Sequence, residues 1–164
     1  MARHLWTPWR SVYMKAGKEE RCIFCYAAAG DRDKDNLVVY RGQHNFVVLN
    51  RYPYTSGHLM IAPYIHVPRL NDAPEETLLE IARLTRTAEM VLETAYKPQG
   101  INLGMNLGSA AGAGIAEHIH MHMLPRWNGD ANFMTSVADT RIIPESLDET
   151  YLKLKDGFDK QLKS

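Results

Sequence analysis

Two cysteines, no excess of charge of either sign and no long apolar run are what this 164-residue sequence offers, and each shortage removes a class of function. Lysine plus arginine number 19, and aspartate plus glutamate also number 19. A general nucleic-acid binder or a protein that lies on anionic membrane carries a basic excess, so neither partner is expected. A small anionic substrate stays open, because histidine, arginine and backbone amides can hold one locally. No stretch approaches the ~18 apolar residues that suggest a membrane span. The first ten residues lack the apolar core of a signal peptide, so the expected location is the cytoplasm. So few cysteines exclude a disulfide-stapled scaffold. In a reducing compartment the single unit Cys22-Ile23-Phe24-Cys25 points first to metal or redox chemistry.

What is present is ample apolar material, 45% of residues, enough for one domain with a packed core. Residues 1–36 read as an irregular N-terminal segment, 37–133 as a catalytic core and 134–164 as a C-terminal segment with a helix. The charged run at 31–35 reads as a solvated turn. Short β-prone runs lie at 37–40, 46–49 and 58–62, the last ending before Pro63. Asp72, Pro74 and Glu75 mark a helix start. Leu78, Ile81, Leu84, Ala88, Val91, Leu92 and Ala95 then recur at helical spacing until Pro98-Gln99-Gly100, and core packing accounts for that stripe. Two more strands are expected at 101–107 and 118–124, joined by the small-residue loop 108–114, and a second, shorter helix at about 145–162. The order implies a mostly antiparallel α+β domain.

The run His118-Ile119-His120-Met121-His122 carries the chemistry. On a strand, alternate side chains share a face, so three imidazoles would face one site while Ile119, Met121 and Met123 enter the core. The outer pair would then lie about 13 Å apart, too far to close on one metal with bonds of about 2 Å. No catalytic metal is therefore expected from this run alone. A neutral imidazole with one nitrogen protonated can attack phosphorus through the other. The loop 108–114 would hold phosphoryl oxygens through the amides of Gly112, Ala113 and Gly114 and the hydroxyl of Ser109.

These residues make the sequence resemble the histidine triad (HIT) family, whose signature is His-φ-His-φ-His-φ-φ with φ apolar. Here it is His118-Ile119-His120-Met121-His122-Met123-Leu124. Upstream, Phe46-Val47-Val48-Leu49-Asn50 and Ser56-Gly57-His58-Leu59-Met60-Ile61-Ala62-Pro63 match as well, and the likeness spans roughly residues 22–133. It implies a five-stranded antiparallel sheet with two helices, a homodimer, and nucleotidyl transfer or hydrolysis at an α-phosphorus. His120 would be the nucleophile and form an adenylyl-imidazole. His122 and His58 would contact phosphate or orient the nucleophile, and Asn106 would hold phosphate oxygens. Asn50 would bind ribose hydroxyls, although a turn residue before Pro53 is the plain alternative. Leu5-Trp6-Thr7-Pro8-Trp9-Arg10 and the segment 125–133 resemble a bacterial branch related to diadenosine tetraphosphate phosphorylases. Trp127 would contact nucleotide or simply pack. Gly114 and Ile115 stand where many family hydrolases carry Gln, then Ser or Thr. A smaller pocket there would admit inorganic phosphate, favouring phosphorolysis of a dinucleoside polyphosphate over hydrolysis.

Several family members close a structural zinc site on a Cys-x-x-Cys pair with two histidines, at positions equivalent to His66 and His118. Cys22, Cys25, His66 and His118 would form a closed Cys₂His₂ set, while inert thiols or a redox pair are the alternatives. Three rivals to the dinucleotide enzyme stand beside it. One is a purine nucleoside phosphoramidase, another a nucleotide-binding sensor with incidental activity. The third is a metallohydrolase using His120 and His122.

Overall fold

The computed structural model describes residues 22–130 and 145–162. The motif at 5–10 and residues 131–133 lie outside that range. Two short helices, α1 (Ile23–Ala29) and α2 (Asp33–Asn36), lead into β1 (Val38–Arg41), β2 (Asn45–Leu49) and β3 (Leu59–Pro63). The long helix α3 (Glu75–Tyr96), β4 (Gly100–Gly104), β5 (Met121–Arg126) and α4 (Leu147–Leu162) follow. The strands form one sheet in the order β1-β2-β3-β5-β4. Every neighbouring pair is antiparallel, so the expected five-stranded α+β architecture is what folds.

α3 crosses β2, β3 and β5 and buries Ile81, Leu84, Ala88, Val91 and Leu92, the stripe its sequence displays. Pro74 occupies the N-cap, and Glu75 and Glu76 place acids against the positive end of the helix dipole. Asp72 does not cap it; that residue closes a separate 3₁₀ turn, Leu70–Asp72. The helix stops at Lys97, whose φ of 47° is left-handed, because Pro98 cannot continue it and Gly100 already opens β4. α4 starts from a capping box: the Glu149 amide donates to Ser146 Oγ, and Ser146 donates both its amide and its hydroxyl to the Glu149 carboxylate. Its Leu154 and Phe158 complete the core against α3 and β1, with Tyr40 stacked on Phe158.

The structure departs from the sequence expectations in further places as well. The segment before residue 37 is not wholly irregular. α1 and α2 form there because Arg41 reaches back from β1, donating to the carbonyls of Ala27, Ala28 and Gly30 and to Asp33. Asp33 is thus an ion-pair partner and not a freely solvated member of the charged run. β4 ends at Gly104 rather than at 107. β5 begins at Met121 rather than at 118, because the Ile119 amide donates to Val67 outside the ladder. That last shift decides how the histidines point.

Candidate functional site

Only His122 of the three histidines lies within β5; His118 and His120 precede it. The expectation that all three share one strand face is therefore corrected. His120 and His122 pack edge to face, centroids 4.8 Å apart, whereas His118 turns towards His66. The triad is divided between two neighbouring clusters.

Backbone groups assign a tautomer to each ring, since an amide can only donate and a carbonyl can only accept. The Tyr54 amide donates to His58 Nδ1 at 3.2 Å. The proton of His58 is therefore on Nε2, which donates to His122 Nδ1 at 3.0 Å. His122 in turn carries its own proton on Nε2. His120 Nδ1 donates to the His118 carbonyl at 2.8 Å, which leaves the Nε2 lone pair uncommitted. Among the described residues, the buried side-chain N and O atoms that lack a partner are Asn45 Oδ1 and Ser56 Oγ. His120 itself is buried, only 5% exposed. The result is a lone pair on His120 and an N–H donor on the neighbouring His122, both on Nε2, within one enclosed cluster.

The electrostatics agree with neutral rings. Burial, reinforced by His122 and His120, pushes His58 down to about 3. Burial and then the His120 ring bring His122 to about 4. Burial also lowers His120, opposed by its bond to the His118 carbonyl. An imidazole that resists protonation in the fold but titrates near 6.5 in the unfolded chain leaves the unfolded state holding more protons between those values. Stability therefore falls as pH drops from about 6.5 towards 4. Melting temperature followed between pH 7 and 5 should decline, and His122→Gln should decline less steeply. A His122→Gln protein with the wild-type slope rejects this account.

On the other side of the triad, His118 Nε2 donates to the Pro63 carbonyl at 2.9 Å, which points the bare Nδ1 at a cluster. That atom lies 3.4 Å from Cys22 Sγ, 3.6 Å from Cys25 Sγ and 3.3 Å from His66 Nδ1, and Cys25 Sγ is 3.3 Å from His66 Nδ1. All four ligand atoms fall within 4.8 Å of one another. The edges of a tetrahedral zinc shell with sulfur and nitrogen ligands are roughly 3.3–3.8 Å, a range these four separations match, so the four residues could hold that ion. The donor set brings together the four residues that the sequence nominated, and it leaves His120 and His122 out.

The remaining candidates are placed as follows. Asn50 Oδ1 accepts from the Tyr52 amide, the turn role, and its Nδ2 faces His58 Nδ1 at 3.3 Å. Asn106 is exposed just beyond Gly104, which pairs with His122 across the β4–β5 ladder. The loop 108–114 makes a 3₁₀ turn, Ser109–Ala111, and the amides of Gly112 and Ala113 donate to the carbonyls of Ser109 and Gly108. These two amides are thus used inside the loop. Among the described residues no hydrogen bond ties Asn106, Ser109, Gly112, Ala113 or Gly114 to a triad ring. Trp127 packs edge-on against Tyr96, as the plain reading of that residue expects.

A model of the HIT domain matches residues 31–129. The chain belongs to the HIT family. An "AP-4-A phosphorylase" from Mycobacterium tuberculosis is 38% identical over 156 residues, covering 90% of this chain and 80% of that protein. A zinc-bound histidine triad family protein from Mycobacterium smegmatis superposes with a TM-score of 0.70 at 27% identity, covering 87% of this chain and 96% of that one. A HIT family member from Bacillus subtilis gives 0.60 at 26%, covering 84% and 96%.

Two features of this HIT site escaped the sequence reading. The Tyr54 amide sets the whole His58–His122 register, but a backbone donor leaves no mark on residue identity. The Phe24 ring lies 4.7 Å from His120 and 5.1 Å from His118, centroid to centroid. An apolar residue between two candidate metal-ligating cysteines was its only available signal.

Proposed function

We propose that the protein splits adenine dinucleoside polyphosphates such as diadenosine tetraphosphate by nucleotidyl transfer through His120, with inorganic phosphate as the second acceptor. The single observation that supports this most is the fixed tautomer of His120, with Nδ1–H on the His118 carbonyl and the lone pair therefore on Nε2. Nε2 attacks the α-phosphorus, and the bond from phosphorus to the bridging oxygen breaks. ATP departs, leaving AMP on the ring. The positive charge gained by the imidazole is shared with the carbonyl through Nδ1–H. His122 Nε2–H donates to an oxygen on which charge builds, which is the positioning and charge stabilisation this reaction class depends on. A phosphate oxygen then attacks the same phosphorus, the P–N bond returns its electrons to Nε2, and ADP leaves.

The likeness to a protein named as a phosphorylase, and Gly114 and Ile115 in place of larger polar donors, support phosphate over water as acceptor. Ser109, Asn106 and Asn50 are assigned to the phosphates and ribose on their positions around β4, β5 and His58. Zinc bound by Cys22, Cys25, His66 and His118 would tie the N-terminal segment to the triad and supply no chemistry to the substrate. Homodimerisation is assigned to β4, an edge strand exposed along most of its length with Leu103 54% exposed, and sedimentation tests it.

Product analysis tests the function. With diadenosine tetraphosphate and phosphate, ATP and ADP should form in equal amounts, and isotopically labelled phosphate should appear in ADP alone. Without phosphate the rate should fall and any product should be AMP with ATP. Equal AMP release whether or not phosphate is supplied rejects phosphorolysis. Faster turnover of an adenosine phosphoramidate favours the phosphoramidase instead.

A further inference from the structure

We propose that Phe24 is a positioning residue for His120: the cysteine knuckle seats its ring against the nucleophilic imidazole and fixes the direction of the Nε2 lone pair. The proposal rests on the reading of His120 as nucleophile. A lone pair on Nε2 lies in the plane of the ring, so a tilt of the ring misdirects it from the phosphorus. Among the described residues His120 makes one ring hydrogen bond, from Nδ1 to the His118 carbonyl, and that bond is an axis about which the ring can still tilt. Contacts on the ring must supply the remaining restraint. His122 meets it at an interplanar angle of 73°, and Phe24 meets it at 38° with centroids 4.7 Å apart.

Phe24 is well suited to that task because it has little freedom of its own. It is 2% exposed and also packs on His118 at 5.1 Å. α1 is only seven residues long and buries just Phe24 and Ala27, so the helix is too short to hold its own place by packing. Its position comes from its ends. Cys22 and Cys25 bracket Phe24 in the chain, and both sulfurs converge on His118 Nδ1. Arg41 grips the carbonyls at the far end. The metal-ligating cluster therefore touches the nucleophile by two routes, through the His118 carbonyl and through the Phe24 ring.

The experiment compares wild-type holoprotein with Phe24→Leu and Phe24→Met, the second keeping most of the volume without a rigid plane. Zinc content, kcat and KM for diadenosine tetraphosphate are measured, along with ¹⁵N imidazole spectra of His120. Stoichiometric zinc, KM within about twofold of wild type and kcat lowered at least about tenfold are expected, since small misplacements of reacting atoms carry such losses. The His120 nitrogen resonances should broaden or shift towards a tautomer mixture without substrate present. Wild-type kcat with an unchanged His120 spectrum overturns the proposal, as does a kcat that falls only in step with lost zinc. If the wild-type protein turns over no dinucleotide, the nucleophile reading fails, while the spectra still decide whether Phe24 orders the ring.

Discussion

Replacing His120 by alanine or glycine should lower dinucleotide turnover by about four orders of magnitude or more while nucleotide still binds. The effect is large because no neighbour can take over the attack. His122 is the nearest imidazole, but its Nδ1 accepts from His58 and its Nε2 bears the proton, so it presents a donor where a lone pair is needed. His58 has its Nδ1 occupied by the Tyr54 amide and its Nε2–H committed to His122. His118 turns its bare nitrogen to the cysteines. What survives in the variant is the pocket, so nucleotide affinity should change little. Rapid acid-free quenching with nucleotide labelled at the α-phosphorus should trap label on wild-type protein and none on the variant. The trapped bond should be lost in acid and survive in alkali, as a phosphorus–nitrogen bond is. Turnover persisting near the wild-type rate in His120→Ala would remove covalent catalysis from this protein.

How far the sequence revealed this site depends on the range over which each restraint acts. The sheet, α3 and α4 were legible because their cues are local: alternating or continuous apolar runs, Pro98 after a helical stripe, and Gly57 before His58. At Gly57 the φ of 77° and the Tyr96 and Pro125 side chains leave no room for a Cβ. The gathering of His58, His120 and His122 was legible too, since a histidine run and a Ser-Gly-His turn in one sheet have few places to meet. The aim of His118 was not. It depends on where β5 starts, and that start is set by a bond from Ile119 to Val67, 52 residues earlier in the chain. α1 was hidden for the same reason: seven residues show too little periodicity, and the Arg41 side chain that organises its end belongs to a strand. Long-range contacts, one through the backbone and one through the Arg41 side chain, shape the N-terminal half of the site, and a single sequence carries no pattern for them.

The second large effect should come from the cysteines. Cys22→Ser together with Cys25→Ser should abolish stoichiometric zinc and lower the melting temperature sharply, because binding to a site that exists only in the folded chain adds directly to folding free energy. Free metal at several hundred times its dissociation constant contributes about 3–4 kcal/mol by mass action. The loss is not spread evenly. β2 and β3 are buried along their whole length, so the sheet and α3 should keep their hydrogen-exchange protection. α1 has two buried residues and three liganding neighbours to lose, so its amides should exchange first. Because Phe24 of that helix and the His118 carbonyl both contact the nucleophile, turnover should fall further than global unfolding at the assay temperature explains. Chelation of the wild-type protein should reproduce the exchange pattern, and returned zinc should reverse it. A protein purified without chelator that contains no zinc, or a double variant with wild-type melting temperature and α1 protection, would show that the four residues merely cluster and that α1 is held by packing and Arg41 alone.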